Sequence, residues 1–206
     1  MSTTVRGCVV INSQDITAVV LCGGQGARLH GQDKPLISVG LRRIIDYLLE
    51  QLEPQVGRVL LSCSRNVALY EAIGHEVVVD SEPARGPLAG IVEAMQSVAT
   101  PWMLTVPGDV PLLPATLVNR LIVDAEKNGV AVPIVDGQRE NLFLLLNLAN
   151  RQDLAFFYEQ GGIAVKYWLD KICAQPTDLS DIASGFLNIN TPTNLAEMEQ
   201  IVQSSA

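Results

Sequence analysis

The sequence predicts an α/β fold in three layers, α/β/α, with a mostly parallel sheet and helices on both of its faces. Three observations carry this. Short apolar runs alternate with stretches of helical periodicity through the first half of the chain, which is the signature of βαβ units. The apolar runs show no polar face, as strands covered on both sides require. Glycines and acids fall just past the ends of those runs, where an open α/β sheet presents its crevice.

The elements follow in order. "TAVVLC" (Thr17–Cys22) reads as a buried strand that ends in glycines. Leu41, Ile44, Ile45, Leu48, Leu49 and Leu52 recur at helical spacing, so a helix is expected over 41–53, stopped by Pro54. "RVLLSC" (58–63) is a second strand, Asn66 to Ile73 a short helix closed by Gly74, and "EVVVD" (76–80) a third strand. Leu88, Ile91, Val92, Met95 and Val98 mark a helix, "WMLTVP" (102–107) a fourth strand and 114–128 another helix. Beyond this the pattern loosens. "VAVPIV" (130–135) and "NLFLLLNL" (141–148) read as two strands joined by a turn at "DGQREN". Helices are expected over Asn150–Gln160 and Ile163–Lys171, a short strand near Ile172, and then a strand, a turn and a last helix in "GFLNINTPTNLAEMEQI", capped by Thr191 or Thr193. Nothing suggests a linker or a repeat, so residues 16–206 are read as one domain behind a loosely ordered leader, 1–15.

Composition narrows the function classes. The 206 residues are 48% hydrophobic and 17% charged, enough for one sizeable core and against wholesale disorder. Mean hydropathy is +0.25, yet no apolar run approaches the roughly 18–20 residues of a spanning helix. The N-terminal "CVVI" is too short for a signal peptide, so a cytoplasmic protein is expected, with no membrane partner. A net charge of −8 speaks against a nucleic-acid binder, which needs a basic face. Cys8, Cys22, Cys63 and Cys173 form no CxxC pair, and neither zinc nor a disulfide framework is indicated.

The unusual residues gather at one edge of the expected sheet. Gly23-Gly24 follows the first strand, Ser62 and Ser64 end the second, Asp80 ends the third and Gly108-Asp109 follows the fourth. The stretch "VLCGGQGARLHGQDKPL" fails both common glycine-rich templates. GxGxxG would need glycine at Leu29, and the Walker pattern would need lysine at Gln32. What remains is still a phosphate-holding set. Gly23, Gly24 and Gly26 let backbone amides approach an anion, Arg28 offers a planar fork and Lys34 a mobile charge. Asp109, in "VPGDVPLLP", is placed either to hold Mg²⁺ beside substrate phosphates or to cap the next helix.

In this order, "LCGGQGARLHGQDKPL", "RGPLAGI", "VPGDVPLLP" and "FLNINTP" resemble the molybdenum cofactor guanylyltransferases, the MobA type, from about Ile16 to the last helix. The resemblance implies a Rossmann-like nucleotidyltransferase fold. It implies an enzyme that attaches GMP from GTP to the phosphate of Mo-molybdopterin, with Mg²⁺, releasing pyrophosphate. Its partners would be those two substrates, with molybdenum-insertion proteins and molybdoenzyme delivery partners on either side of the step. By motif, Leu21, Cys22, Gly23, Gly24, Gly26, Arg28 and Lys34 would hold the nucleotide. Ser62, Asp80 and Gly86-Pro87-Leu88 would line the guanine and ribose. Asp109 would bind the metal, and Asn188 and Asn190 would face the pterin. Arg28, Lys34 and Asp109 would carry catalysis. The chain departs from the family pattern at Cys22, where alanine is usual, and at Ser62 and Ser64, where asparagines are common. "GGIAVKYW" (161–168) also lacks an arginine, with Lys166 one turn later. The alternatives are a cytidylyltransferase for the same pterin, a sugar-1-phosphate nucleotidyltransferase, or a non-catalytic carrier of pterin or nucleotide.

Overall fold

A computed structural model describes residues 10–23, 32–82 and 85–204. The central sheet has six strands in the order β5-β4-β1-β6-β10-β7. These are β1 (Ile16–Leu21), β4 (Arg58–Cys63), β5 (Glu76–Val79), β6 (Trp102–Pro107), β7 (Val130–Ala131) and β10 (Leu145–Asn147). The chain pairs β1 with β4 and β4 with β5, all parallel, then returns to lay β6 parallel on the other side of β1. The strand order therefore reverses between β1 and β6. β10 runs antiparallel to both β6 and β7. Every residue of β1 and of β6 is buried. Apart from the buried Thr17 and Thr105 both strands are apolar, so helices can cover both faces.

One apolar cluster lies under α1 (Ile44–Leu52) and α4 (Leu117–Asn128) and includes Val20, Leu48, Leu104 and Leu121. The other lies under α3 (Pro87–Met95), α5 (Arg151–Glu159) and α6 (Val165–Lys171) and includes Val19, Leu88, Met103 and Trp168. Three layers result, as the sequence predicts. Trp168 is buried with its indole N–H donating to Asp153 at 2.7 Å, so the large ring leaves no donor unpaired. Ahead of β1, Ile11 is buried and its amide donates to Glu126 at 3.1 Å.

The structure corrects several expected boundaries. The helix expected over 41–53 begins at Ile44, because β2 (Ser38–Val39) and β3 (Arg42–Arg43) form a hairpin first. Leu41 sits fully exposed in its turn, after Gly40 at φ +61°. Asp46 then accepts from the Arg43 amide at 2.8 Å, which starts the helix. "VAVPIV" is not one strand. Pro133 has no amide to continue the ladder, and the chain leaves the main sheet there. β8 (Pro133–Val135) enters a small sheet with β9 (Gln138–Arg139) and β11 (Thr177–Asp178). Asp136 and Gly137 carry φ of +48° and +79°, the pair of positive values that a tight two-residue hairpin needs. The turn thus joins 133–135 to 138–139 rather than to 141–148. Of "NLFLLLNL" only Leu145–Asn147 is strand. The buried Thr105 hydroxyl interrupts the ladder before it, donating to Leu142 O (2.7 Å) and accepting from Leu144 N (3.2 Å). No strand forms at Ile172; β11 comes five residues later. The strand expected in "GFLNIN" is instead a run of 3-10 turns, 180–186, followed by extended chain. α2 (Val67–Glu71) and α7 (Pro192–Ser204) complete the set, and Thr191 caps α7 by accepting from Asn194 N at 3.2 Å.

Leu48 is wholly buried beneath the sheet. Leu48→Ala is expected to destabilise the fold by about 2–5 kcal/mol, through lost burial and the cavity left behind. Urea unfolding followed by circular dichroism measures this.

Candidate active site

β1 and β6 end side by side at the point where the strand order reverses, which is where α/β sheets hold ligands. β1 continues one residue past its end. Cys22 N donates to Ser62 O at 2.7 Å, and Gly108 N donates to Leu21 O at 3.0 Å. These bonds bring Leu21, Cys22 and Gly23 beside Ser62 on one side and Gly108-Asp109 on the other. Leu21 and Cys22 are buried, and Gly23 is exposed. Leu21 and Cys22 can therefore offer a ligand mainly backbone. Burial first, then the neighbouring Cys63 and Asp33, holds the Cys22 thiol well above its ordinary pKa, so it stays neutral. Gly24, Gly26 and Arg28 lie outside the described residues.

After the loop the chain re-enters at "QDKPL". Lys34 opens a 3-10 turn with Pro35 behind it, the Leu36 amide closing onto Asp33 O at 2.9 Å. The Lys34 ammonium reaches Asp109 Oδ2 at 3.1 Å and also donates to Asn190 Oδ1. Lys34 and Asp109 side chains are each one-fifth exposed, so this pair is more than a solvated surface contact. Asn190 arrives from the C-terminal segment, which is pinned when Ile189 N donates to Asp109 O at 2.9 Å. Residues 75 and 156 positions away in sequence thus meet on one ammonium. Asn188 is half-buried and makes no hydrogen bond to Lys34 or Asp109.

A second cluster lies at the ends of β4 and β5. Asp80 N donates to Cys63 O at 2.8 Å, and Asp80 Oδ1 accepts from Glu82 N at 3.0 Å. A Cβ on Gly90 would stand 3.0 Å from Ser62 Oγ and 3.4 Å from Asp80 Oδ2, so α3 passes close over both. Gly86 holds φ +78° and ψ −173°, backbone that needs glycine, and Pro87 starts α3 where a missing amide is harmless. Leu88 is fully buried against the sheet, so its side chain anchors α3 rather than lining the crevice. Lys166 lies on α6 with its ammonium 4.7 Å from the Tyr167 ring centroid, and no ion pair joins it to Asp109.

Two residues at the site, Gly90 and Asp33, have no place in the sequence reading, and a third, Gly108, stands there only beside Asp109. Gly90 was visible only as the second glycine of "GPLAG". Gly108 has the same role against the loop: a Cβ there would come within 2.9 Å of Pro35 Cγ and 3.1 Å of Leu21 O. Asp33 was visible only as the acid before Lys34. It is buried, and accepts from Tyr70 Oη at 2.8 Å and from Asn66 Nδ2 at 2.9 Å.

The metal test turns on Asp109. Among the described residues no group of three or more His, Cys, Asp or Glu side chains could hold a metal. A single half-buried carboxylate at a strand end suits a hard cation that takes one or two carboxylates and shares substrate phosphates. It does not suit zinc, which wants a closed set of nitrogen or sulfur ligands.

Two outcomes follow from this geometry. Gly108→Ala forces Pro35 or the β1 backbone to move and is expected to cost about 1–3 kcal/mol by overpacking, read from urea unfolding. Burial first, with Glu93 and Glu82 nearby, raises the Asp80 pKa against the opposing Glu82 amide. The charged form therefore costs stability, and that cost is relieved as pH falls through the raised value toward the ordinary one. Asp80→Asn is expected to melt at a higher temperature than the parent at pH 7, with the gap closing as the pH is lowered. Scanning calorimetry across that pH range measures both.

Comparison with known proteins agrees with this geometry. Residues 18–172 match the family described as the MobA-like NTP transferase domain. A relative from Ralstonia nicotianae named molybdenum cofactor guanylyltransferase is 36% identical, over 94% of this chain and 99% of its own. One of the same name from Shewanella sediminis is 33% identical, over 92% and 98%. In fold, the chain matches the molybdopterin-guanine dinucleotide biosynthesis protein A of Archaeoglobus fulgidus with a TM-score of 0.72, 21% identity and coverage of 91% of this chain and 99% of that one. It also matches the 2-C-methyl-D-erythritol 4-phosphate cytidylyltransferase of Thermus thermophilus, with a TM-score of 0.70, 16% identity and coverage of 90% and 98%. The sheet order, the reversal between β1 and β6 and the relatives that match along nearly their whole length point one way: the chain belongs to the molybdenum cofactor guanylyltransferase family and is a nucleotidyltransferase.

Proposed function

We propose that the chain transfers GMP from GTP to the phosphate of Mo-molybdopterin, and that Lys34, Asp109 and Asn190 mark where the two substrates meet. The observation that carries this reading is the single ammonium shared by Asp109, from the loop after β6, and Asn190, from the C-terminal segment. GTP would lie along the β1 loop, with its base toward Ser62, Asp80 and the start of α3. The pterin phosphate would approach from the side of Asn188 and Asn190.

In this reaction a phosphate oxygen of the pterin bonds to the α-phosphorus of GTP. The bond from that phosphorus to the β-bridging oxygen breaks, and pyrophosphate leaves. A phosphomonoester has its second pKa near ~6, so the attacking group is already an anion at neutral pH and needs no general base. That fits a site whose nearby thiol, Cys22, is held neutral by burial. The remaining work is to bring anions together and stabilise the charge that gathers on the leaving pyrophosphate. Lys34 supplies a fixed positive charge for this. Gly23 supplies an uncrowded approach, since a Cβ there would meet nothing within 4 Å. Arg28, outside the described residues, is assigned to the β- and γ-phosphates on sequence grounds. Asp109 would hold Mg²⁺, whose chemistry there is to neutralise substrate phosphate charge. Asp80, at the far end of the crevice, is an acceptor for the N–H groups of guanine. The partners of the step are the two substrates. Molybdenum-insertion proteins before it and delivery partners after it are part of the same reading, with the reaction placed in the cytoplasm. Among the described residues no helix is long and apolar enough to cross a membrane.

Lys34→Ala and Asp109→Ala should each lower pyrophosphate release from GTP and molybdenum-loaded molybdopterin by about 10²–10³-fold, the usual loss for one electrostatic donor, while circular dichroism shows a native fold. Wild-type rates in both variants would sink the assignment. In thermal shift with Mg²⁺, GTP should raise the melting temperature more than CTP or UTP. A larger shift with CTP would favour the cytidylyl reading instead.

A further inference from the structure

Lys34 has a flexible stem, yet it must hold its charge at one place in the crevice. Among the described residues, its backbone is held by the two residues on either side. Pro35, buried, packs against Gly108, where even a methyl group would collide with its ring. Asp33 turns the other way, toward the loop after β4. There its carboxylate accepts from Tyr70 Oη at 2.8 Å and from Asn66 Nδ2 at 2.9 Å, and lies 3.7 Å from the Arg65 guanidinium. Arg65 also donates to the neighbouring Gln32 carbonyl at 3.2 Å. Asp33 O receives the Leu36 amide, so the same residue closes the turn that carries Lys34.

Each part of this holder is committed to it. Tyr70 is wholly buried, and burial first, then the nearby Cys22 and Asp33, holds its phenol far above the ordinary range, so the hydroxyl keeps its proton and donates to Asp33. Asn66 sits at φ +54°, left-handed backbone that asparagine tolerates better than most residues. The Asp33 side chain is only 5% exposed, and a buried carboxylate with three partners is costly to leave half-satisfied. Such an arrangement is stiff, and it sits one residue from Lys34.

We propose that Asp33 is a positioning residue for Lys34: by tying the turn to Tyr70, Asn66 and Arg65 after β4, it fixes where the Lys34 ammonium stands between Asp109 and Asn190. The triplet Asp33-Lys34-Pro35 thereby joins the loops that follow β1, β4 and β6. This inference rests on the reading of Lys34 as the residue that grips the substrate phosphates.

The test is a double-mutant cycle on the full chain, measuring pyrophosphate release with GTP, Mg²⁺ and molybdenum-loaded molybdopterin. Asp33→Asn keeps the shape and removes the charge. It should lower kcat by about 10²-fold, the scale expected when a reacting group shifts by about an ångström. Asp33→Asn combined with Lys34→Ala should then be no slower than Lys34→Ala alone, within about twofold. A purely structural role would not produce that result, because a general loss of folded enzyme multiplies with the loss of Lys34. If Asp33→Asn fails to fold, Tyr70→Phe removes one hydrogen bond from the same carboxylate and enters the same cycle, with a smaller loss and the same non-additivity. Losses that multiply, or a wild-type kcat in the folded Asp33 or Tyr70 variant while Lys34→Ala is impaired, overturn this inference alone. A wild-type rate in Lys34→Ala overturns the active-site assignment and this inference with it.

Discussion

The structure depends on one strand having two parallel neighbours. β1 is buried along its whole length and is bonded to β4 on one side and β6 on the other. Because all three run the same way, their carboxyl ends lie at one edge. Because the chain leaves β1 in one direction for β4 and returns on the other side for β6, the strand order reverses at that edge, where open α/β sheets hold ligands. Gly23, the Ser62–Asp80 cluster and Asp109 all sit within a residue or two of those strand ends. None of them could be brought together by local structure.

The site itself is a matter of close approach. Gly90 lets α3 pass over Ser62 and Asp80, and Gly108 lets Pro35 lie against the β1 backbone. In both places a side chain would separate layers that have to touch. The polar groups are then held by partners of complementary charge. Lys34 stands between an acid and an amide, and Asp33 between a phenol, an amide and a guanidinium. Such partly dry arrangements strengthen electrostatics in the crevice. A reaction between two anions needs that more than it needs a proton shuttle.

Much of this was legible in the residues. β4 and β6 occur where "RVLLSC" and "WMLTVP" place them, because uninterrupted apolar runs bounded by turn residues have few other uses in an α/β chain. The edge holding Gly23, Ser62, Asp80 and Asp109 was readable from the same strand ends. The second half was less so. "VAVPIV" is continuous in hydropathy, but Pro133 breaks its hydrogen bonding, and "NLFLLLNL" is divided by a hydroxyl from Thr105, roughly forty residues earlier. Leu41 fits a helical period and yet belongs to a turn, because the period says nothing of where a cap begins.

By itself, then, the sequence determined the parallel α/β layers and the family, and it pointed to the short motifs gathered at one sheet edge. Hydrophobic period and turn chemistry are local and survive in one dimension. Only the tertiary structure decided that Lys34 meets both Asp109 and Asn190, that Leu88 anchors rather than lines, and that Asp33 faces away from the crevice into a holder made by Tyr70 and Asn66. Those outcomes depend on which strand lies beside which and on how closely a glycine lets them pack. Neither is encoded at any single position of the chain.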